Sequence, residues 1–433
     1  MDARPGPEPV PSTGSAQAQA GEALRRHWGR VVAAAVRVCG DLGLAEEAAA
    51  DAFALALQIW PAQGVPRSVE AWLLTVARRR AVDRVRRAAV GRDKLRLAVA
   101  GAPTEIDEID LDDPLVADDD VRLVVLCCHP ALDQEVQVAL TLRLACGVPT
   151  AAVAAAFLVP ESTMAARLTR AKQRIARSEL PITLPDDLAV EERMPAVLRT
   201  VLLAYSMGHT AGAGATLRDD SIAGHAVHLA RNIHHHRPDD PEAAALHALV
   251  VLCEARAGGR LADDGAQVLL EHADRSAWDH TLIVEGLAAI RANRRPSAHS
   301  GPMALRAELA ALHAAAPRSA ETDWTAIVDV YDLLLAREPS PTVAIGRCLA
   351  IAELCGPAAG LADLDEVLAV AGQALRRYPY AAAARARLLA AGGERARAAD
   401  AWRDAAAWAR TDAERAYFLE QAGAAADAAS GPR

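Results

Sequence analysis

Positively charged side chains follow a break between two short helical patterns in residues 149–177. Thr150 is expected to cap the first helix, because a threonine oxygen accepts a hydrogen bond from a first-turn N–H group. Pro160 should end that helix, since proline removes a donor and moves the preceding residue out of the α region. Glu161 or Ser162 then opens the second helix, which has an apolar inner stripe and cations on its other faces. A short helix, a tight turn and a cationic second helix are typical of a unit that enters the DNA major groove.

The second helix offers the side chains that DNA recognition uses. Hydroxyl groups at its start can bond phosphates or base edges. Arg167 and Arg170 lie three residues apart on one face, where either can reach a guanine edge or a phosphate. An amphipathic helix with a solvated basic face is the alternative interpretation. The candidate DNA-contacting residues of this helix are Ser162, Thr163, Arg167, Arg170, Lys172 and Arg174.

A second basic cluster lies upstream, and an acidic segment separates the two. Residues 78–96 contain nine arginines and lysines, whereas residues 104–120 contain nine acids and no cation. The net charge of −9 would argue against a nucleic-acid partner. The uneven distribution outweighs that total, because two basic modules joined by an acidic tether can each bind nucleic acid.

Composition predicts an all-α protein of two or three domains. The chain has 433 residues, too many for one ordinary core. Hydrophobic residues make up 52% of it but aromatic residues only 3%, and the apolar content is mainly Ala, Leu and Val in helical spacing.

No constellation for catalysis or for a cofactor is found. The 7 cysteines are odd in number and irregularly spaced, which excludes a disulfide framework and is consistent with a reducing cytoplasm. Cys127, Cys128 and His129 lack the spacing of a zinc site, and the His225–His236 segment is interpreted as a solvated helix end. We therefore expect neither an enzyme nor a cofactor or metal, and we expect no membrane span, since no run of 18 apolar residues occurs.

The order of patterns divides the chain into five parts. Residues 1–20 are expected to be a disordered tail and residues 91–120 an acidic linker. Helical modules are predicted at 21–90 and 121–180, followed by a long helical domain at 188–425. Residues 378–410 have the length and pattern of one tetratricopeptide-like helix pair, with Trp402 and Trp408 packing its second helix.

Several runs resemble one family in the same order along the chain. GLAEEAAADAFALALQIW (43–60) and VEAWLLTVARRRAVDRVRR (69–87) resemble region 2 of bacterial sigma factors of the extracytoplasmic-function type, and residues 149–175 resemble region 4. The run VRLVVLCCHPALDQEVQVALTLRLACGVPT (121–150) looks like the subgroup with a C-terminal tetratricopeptide-like domain. Further signatures of that domain are Thr322-Asp323-Trp324, Tyr331-Asp332 and residues 356–360.

The resemblance implies partners and residue roles. The partners would be core RNA polymerase, promoter DNA and, through the C-terminal domain, a protein regulator. Region 2 would bind core polymerase through an acidic helix face and hold opened strands with cations and an aromatic surface. The tether would be either a solvated linker or a segment that mimics nucleic acid in the RNA exit path. The implied core-binding residues are Glu46, Glu47 and Asp51, and the implied region 2 DNA contacts are Trp72, Arg78, Arg79, Arg80, Arg84, Arg86 and Arg87.

Two other functions remain open at this point. A helix-turn-helix regulator would bind DNA without needing polymerase, and an interaction scaffold would have DNA-binding modules that have decayed and would lack sigma activity. The scaffold is favoured by small residues where the family carries larger or polar ones, at Ala48, Ala50, Ala165 and Ala166.

Overall fold

The structure is a computed structural model of the chain. It describes residues 13–92, 119–157, 159–177, 187–210, 218–260, 268, 270, 272–292, 300–375 and 377–430. These residues form 18 α-helices and four short 3₁₀ turns, without a strand among them, which confirms the all-α prediction. The chain divides into two compact units, 1–204 and 205–433, and each is described separately below.

The first three helices of unit 1 form one bundle: α1 (Thr13–Cys39), α2 (Leu42–Gln63) and α3 (Val69–Arg92). Asp41 caps α2, accepting a 2.8 Å hydrogen bond from the Leu44 N–H. Ser68 caps α3, with its Oγ accepting from the Ala71 N–H at 3.3 Å. Small and aromatic side chains, among them Phe53 and Trp60, fill the core.

The second part of unit 1 contains α4 (Asp119–Cys127), α5 (Gln134–Leu144), α6 (Thr150–Ala156), α7 (Glu161–Ala176) and most of α8 (Asp187–His209). Asp133 caps α5 through a 3.0 Å bond from the Val136 N–H. The start of α8 packs in this unit, where Thr200 is fully buried and Cys128 Sγ lies 3.4 Å from its Oγ1. Residues 188–204, predicted to open the C-terminal domain, therefore complete the core of unit 1.

Unit 2 consists of the end of α8 and ten further helices. They are α9 (Asp220–His236), α10 (Pro241–Ala255), α11 (His280–Ala292), α12 (Pro302–Ala315), α13 (Trp324–Arg337), α14 (Pro341–Cys355), α15 (Pro357–Ala371), α16 (Pro379–Ala391), α17 (Arg395–Ala407) and α18 (Asp412–Ser430). Consecutive helices pack on one another and share a series of small apolar cores. The predicted helix pair of residues 378–410 is present as α16 and α17, joined at Gly393, whose φ of 83° suits glycine.

Several local predictions were wrong. Thr150 is the first helical residue, not a cap; Pro149 occupies the cap position and its carbonyl accepts from Val153 N–H at 3.0 Å. Trp408 lies after the end of α17 and is 45% exposed, with the Arg377 guanidinium over its ring, so only Trp402 packs the core.

Two predicted segments fall partly outside the described residues. Residues 13–20 of the predicted tail are helical, because α1 begins at Thr13, and residues 1–12 lie outside. Residues 93–118 of the predicted linker also lie outside, whereas Asp119 begins α4 and is buried. Among the described helices, none is by itself long and apolar enough to span a membrane, and one bent pair, α6 with α7, qualifies only by length and composition.

Candidate nucleic-acid and polymerase interface

Helices α6 and α7 have the geometry of a helix-turn-helix. Their axes turn through 104° at the break between them, within the usual range for this motif. Pro160 precedes α7, and its carbonyl accepts from Met164 N–H at 3.1 Å, so the proline begins the new helix as it ends the old one. The apolar stripe predicted for the inner face of α7 is present and buried; it consists of Met164, Leu168, Ala171 and Ile175.

The outer face of α7 is open to solvent and carries cations. Ser162, Arg170 and Arg174 are exposed on this face, together with the two alanines at 165 and 166. Thr163 and Arg167 are half-buried at its edges. The exposed face therefore offers few side chains that can read bases, and its guanidinium groups suit phosphates.

A groove runs between α7 and the start of α5. Its volume is about 660 Å³, and Arg167, Arg170 and Arg174 line one side of it. Asp133 and Glu135 line the other side. The three arginines that were predicted to contact DNA thus share one surface, and the nearby carboxylates limit its positive potential.

Lys172 points away from that surface and joins α7 to α2. Its Nζ lies 2.8 Å from Glu46 Oε2, and Arg143 of α5 donates through Nε to Glu46 Oε1 at 2.6 Å. The Glu46 side chain is only 13% exposed. One carboxylate of the predicted polymerase-binding helix therefore binds two cations of the other half of unit 1, and we call these three residues the Glu46 clasp.

Further contacts hold the same two halves together. The Trp28 indole donates to the Arg143 carbonyl at 3.2 Å, and the Arg143 guanidinium lies 5.6 Å from the centre of that ring. Gly147 has a φ of 70°, and a Cβ there would lie 2.8 Å from Trp28 Cγ. Arg37 of α1 holds the buried Asp119 of α4, with Nε 2.9 Å from both carboxylate oxygens.

The predicted acidic and basic residues of region 2 meet in one ion-pair group. Arg84 of α3 pairs with Glu47 and, at 2.8 Å, with Asp51 of α2. Arg84 therefore offsets one of the two negative charges, and the group keeps a net charge of −1, although its members were assigned to different partners. Of the other arginines predicted in α3, Arg79, Arg86 and Arg87 are exposed and Arg78 and Arg80 are half-buried.

Trp72 is half-buried beside Trp60. Their rings meet edge to face with centroids 5.5 Å apart, an arrangement typical of packed aromatic pairs. Trp60 is fully buried, so only Trp72 retains a surface that an unstacked base can approach.

Two features of α2 were not predicted from the sequence. Leu57 is 50% exposed and extends the exposed face formed by Glu47, Ala50 and Ala54. Its helical spacing from Glu47 and Ala54 was a signal that could have shown this. The clasp at Glu46 gave no such signal, because its partners lie 97 and 126 residues away.

Metal-binding chemistry is not evident in the described part of the chain, which holds no group of three or more His, Cys, Asp or Glu suited to an ion. Burial raises the pKa of Cys128 to about 11 and that of Cys146 to about 12, so both stay protonated thiols.

Models of three protein families match separate segments of the chain. Models for sigma-70 region 2, sigma-70 region 4 and a family of unknown function (DUF6596) match residues 23–90, 122–175 and 193–294, respectively. An uncharacterized protein of Rhizobium meliloti (strain 1021), R00370, is 36% identical over 399 residues, which cover 90% of this chain and 92% of that protein. A probable ECF RNA polymerase sigma factor of Mycobacterium tuberculosis, SigI, is 27% identical over 160 residues, 36% of this chain and 54% of that protein, in two strains.

The helix-turn-helix of α6 and α7 and the arginine-bearing bundle of α1 to α3 coincide with the two sigma-70 matches. The chain belongs to the sigma factors of the extracytoplasmic-function type, with an additional helical domain at the C-terminal end. Members of this class are DNA-binding transcription initiation factors.

Proposed function

We propose that this chain binds core RNA polymerase in the cytoplasm and directs it to specific promoters. The observation that carries the proposal is the presence, in one compact unit, of two arginine-bearing helices in the two sigma-type modules. Two separate basic surfaces allow one chain to contact two promoter elements.

In region 4, Arg170 and Arg174 are the principal DNA contacts, because they lie on the exposed face of α7. Ser162 lies at the start of the same face and donates to a phosphate or base edge. With alanine at positions 165 and 166, much of the sequence preference comes from the shape of the DNA and not from base contacts.

In region 2, Arg79, Arg86 and Arg87 of α3 bind phosphates, and Trp72 supplies an apolar surface for an unstacked base. Glu47 and Asp51 contact polymerase from α2, with Leu57 as an apolar contact on the adjacent exposed turn. Arg84 pairs with both acids in the free protein, so polymerase has to displace it or accept the ion-pair group as a whole.

The Glu46 clasp closes unit 1 in the free protein. Lys172 is paired with Glu46 in the free protein, so a DNA phosphate has to compete with this carboxylate for the ammonium group. Polymerase binding to α2 therefore competes with region 4 for Glu46, and this competition frees Lys172 for DNA.

The C-terminal helical domain regulates the sigma modules, polymerase or a separate signalling protein through a protein-contacting surface. A series of short packed helices such as α9 to α18 suits this role, because extended helical arrays present broad surfaces to partners. A truncated chain that lacks this domain should end at Thr210, because α8 completes the core of unit 1.

Run-off transcription with core polymerase tests the proposal. The full chain should direct a discrete transcript from its own promoter, and core enzyme alone should not. A chain that binds the promoter but yields no specific transcript would be a helix-turn-helix regulator without sigma activity. A chain that binds neither the promoter nor core polymerase would be the interaction scaffold. Binding to core polymerase is measured by pull-down, and the Asp51→Ala variant is the comparison.

A further inference from the structure

Unit 2 contains two adjoining cavities with arginine-rich walls. The first has a volume of about 230 Å³ and is lined by Arg256, Arg260 and Trp278. The second has a volume of about 240 Å³ and is lined by Arg275. Leu270 lines both. Both cavities are smaller than the usual pocket for a drug-sized ligand, so each can hold only a molecule of a few heavy atoms and excludes a folded partner.

Backbone groups and aromatic rings hold these arginines. Arg260 donates to the His209 carbonyl, and Arg275 donates to the His313 carbonyl at 2.9 Å. The Arg256 guanidinium has a 3.5 Å contact with Cys253 Sγ. Among the described residues, these three arginines have no carboxylate within ion-pair distance. Carbonyl groups fix the position of a guanidinium but leave its charge uncompensated.

The described carboxylates near the cavities are already engaged or lie at the edge. Glu254 pairs with Arg218 and accepts from the Tyr205 hydroxyl. Glu353 lines the second cavity and is exposed. The hydroxyl groups that act on Arg260 belong to Tyr205 and Tyr380, and burial raises the pKa of both, so they are neutral at pH 7.

The pKa values of two neighbouring histidines are lowered by burial and by the positive charge of the arginines. Burial, reinforced by Arg260 and other arginines, lowers the pKa of His209 to about 2. Burial, reinforced by Arg256 and Arg275, lowers the pKa of His313 to about 4. Both rings are therefore neutral at pH 7, and the arginines provide the charge of this part of the unit.

Buried donors complete the arrangement. Trp278 is 4% exposed, lines the first cavity, and its Nε1–H has no hydrogen-bond partner among the described residues. The Nε–H of Arg275 is likewise without one. Gly259 lies directly against the indole, since a Cβ there would be 2.8 Å from Trp278 Nε1. A buried N–H without an acceptor destabilises the fold, so such a donor favours a ligand that brings an oxygen.

We propose that unit 2 binds a small phosphate- or carboxylate-bearing molecule in the first cavity, between Arg256, Arg260 and Trp278. The guanidinium groups neutralise the anion and donate to its oxygens, and the indole N–H donates to a further oxygen. This ligand site is independent of promoter and polymerase binding, so its test does not require transcription.

Calorimetric titration and thermal unfolding of the full chain test the proposal. The probes are inorganic phosphate and succinate, each at constant ionic strength. At least one probe should bind saturably and raise the unfolding temperature. Phosphate also stabilises proteins non-specifically, so the deciding quantity is the difference between the natural chain and its variants.

Arg256→Gln is the principal variant, because the one contact described for this guanidinium is a weak one to sulfur. It should reduce the affinity at least tenfold, and Trp278→Phe should reduce it several-fold. The control is Arg403→Gln, which removes an exposed arginine that pairs with Asp400 on the same unit. Binding of phosphate alone or of succinate alone identifies the ligand class. Absence of binding by both probes, or equal binding by Arg256→Gln, overturns the proposal.

Discussion

Glu46→Gln should open the contact between the two halves of unit 1. The substitution keeps the shape of the side chain but removes the charge that binds Lys172 and Arg143. One oxygen becomes an NH₂ group, which then faces a cation as a donor.

The magnitude follows from the geometry of the clasp. Hydrogen bonds to charged groups contribute about 1.5–3 kcal/mol each when buried. Here the side chains of Lys172 and Arg143 are 23% and 22% exposed, so solvent screens part of each interaction. We take about 2 kcal/mol for the loss of both, which corresponds to a roughly 30-fold shift toward the open form.

Amine acylation followed by mass spectrometry measures this shift toward the open form as a change in the reactivity of Lys172. The chain has two lysines, Lys94 and Lys172, so the acylation rate of Lys172 can be normalised to that of Lys94 in the same molecule. The normalised rate should rise up to about 30-fold in Glu46→Gln. Glu47→Gln is the matched control, because Glu47 pairs with Arg84 inside region 2 and does not touch Lys172.

Two outcomes would show that Glu46 does not hold the two halves together. The first is a Lys172 rate in Glu46→Gln that is no higher than in Glu47→Gln. The second is additivity of Glu46→Gln and Lys172→Gln in urea unfolding to within about 0.3 kcal/mol, because residues in a real contact couple more strongly than that. Binding to upstream DNA is the better functional measurement, since Glu46 is also a candidate polymerase contact.

Three further results are expected. Arg170→Ala should weaken binding to upstream promoter DNA by about 1–3 kcal/mol in a fluorescence anisotropy titration at moderate salt; unchanged affinity would mean that α7 does not face DNA. At pH 7.5, iodoacetamide should modify the exposed Cys355 readily and leave Cys146 unmodified, because Cys146 is buried and its pKa is raised to about 12; early modification of Cys146 would contradict the packing of unit 1. The pKa of His313 is lower in the folded chain than in the unfolded chain, so the unfolded chain binds the extra proton, and stability present above pH 6.5 is lost as the pH falls toward 4, by up to about 3 kcal/mol. Urea unfolding between pH 7 and 5 should show this slope, and His313→Gln should reduce it while the contribution of His209 remains; an unaltered slope would exclude His313 as one of its sources.

The sequence predicted the helices well where the spacing of apolar residues along one helix determines them. The break at Pro160 and the stripe of Met164, Leu168 and Ile175 needed only the spacing along one helix. The cap at Thr150 was assigned wrongly because Pro149 fits the same position, with a fixed φ and no need for a donor there. Trp408 was placed in the core because the repeat pattern was extended past the end of its helix.

The contacts between elements were not predictable in the same way. Glu46 carries the residue type expected of a polymerase contact, and no helical period indicates that it binds two cations from a distant part of the chain. Arg84 is similar, since its charge suggested DNA while its position on α3 brings it to Glu47 and Asp51. Pairings of this kind depend on how helices cross, which side-chain spacing within one helix does not specify.

Gly147 is a position at which a single substitution can loosen the contact between the two halves of unit 1. Any side chain at this position would collide with the Trp28 ring and would also disfavour the left-handed backbone that glycine adopts there. Substitution would push the two halves apart at a residue that is not itself a candidate contact with DNA or polymerase. Screening changes at this one codon for raised activity would therefore separate the effect of release from the effect of losing a contact with polymerase or DNA.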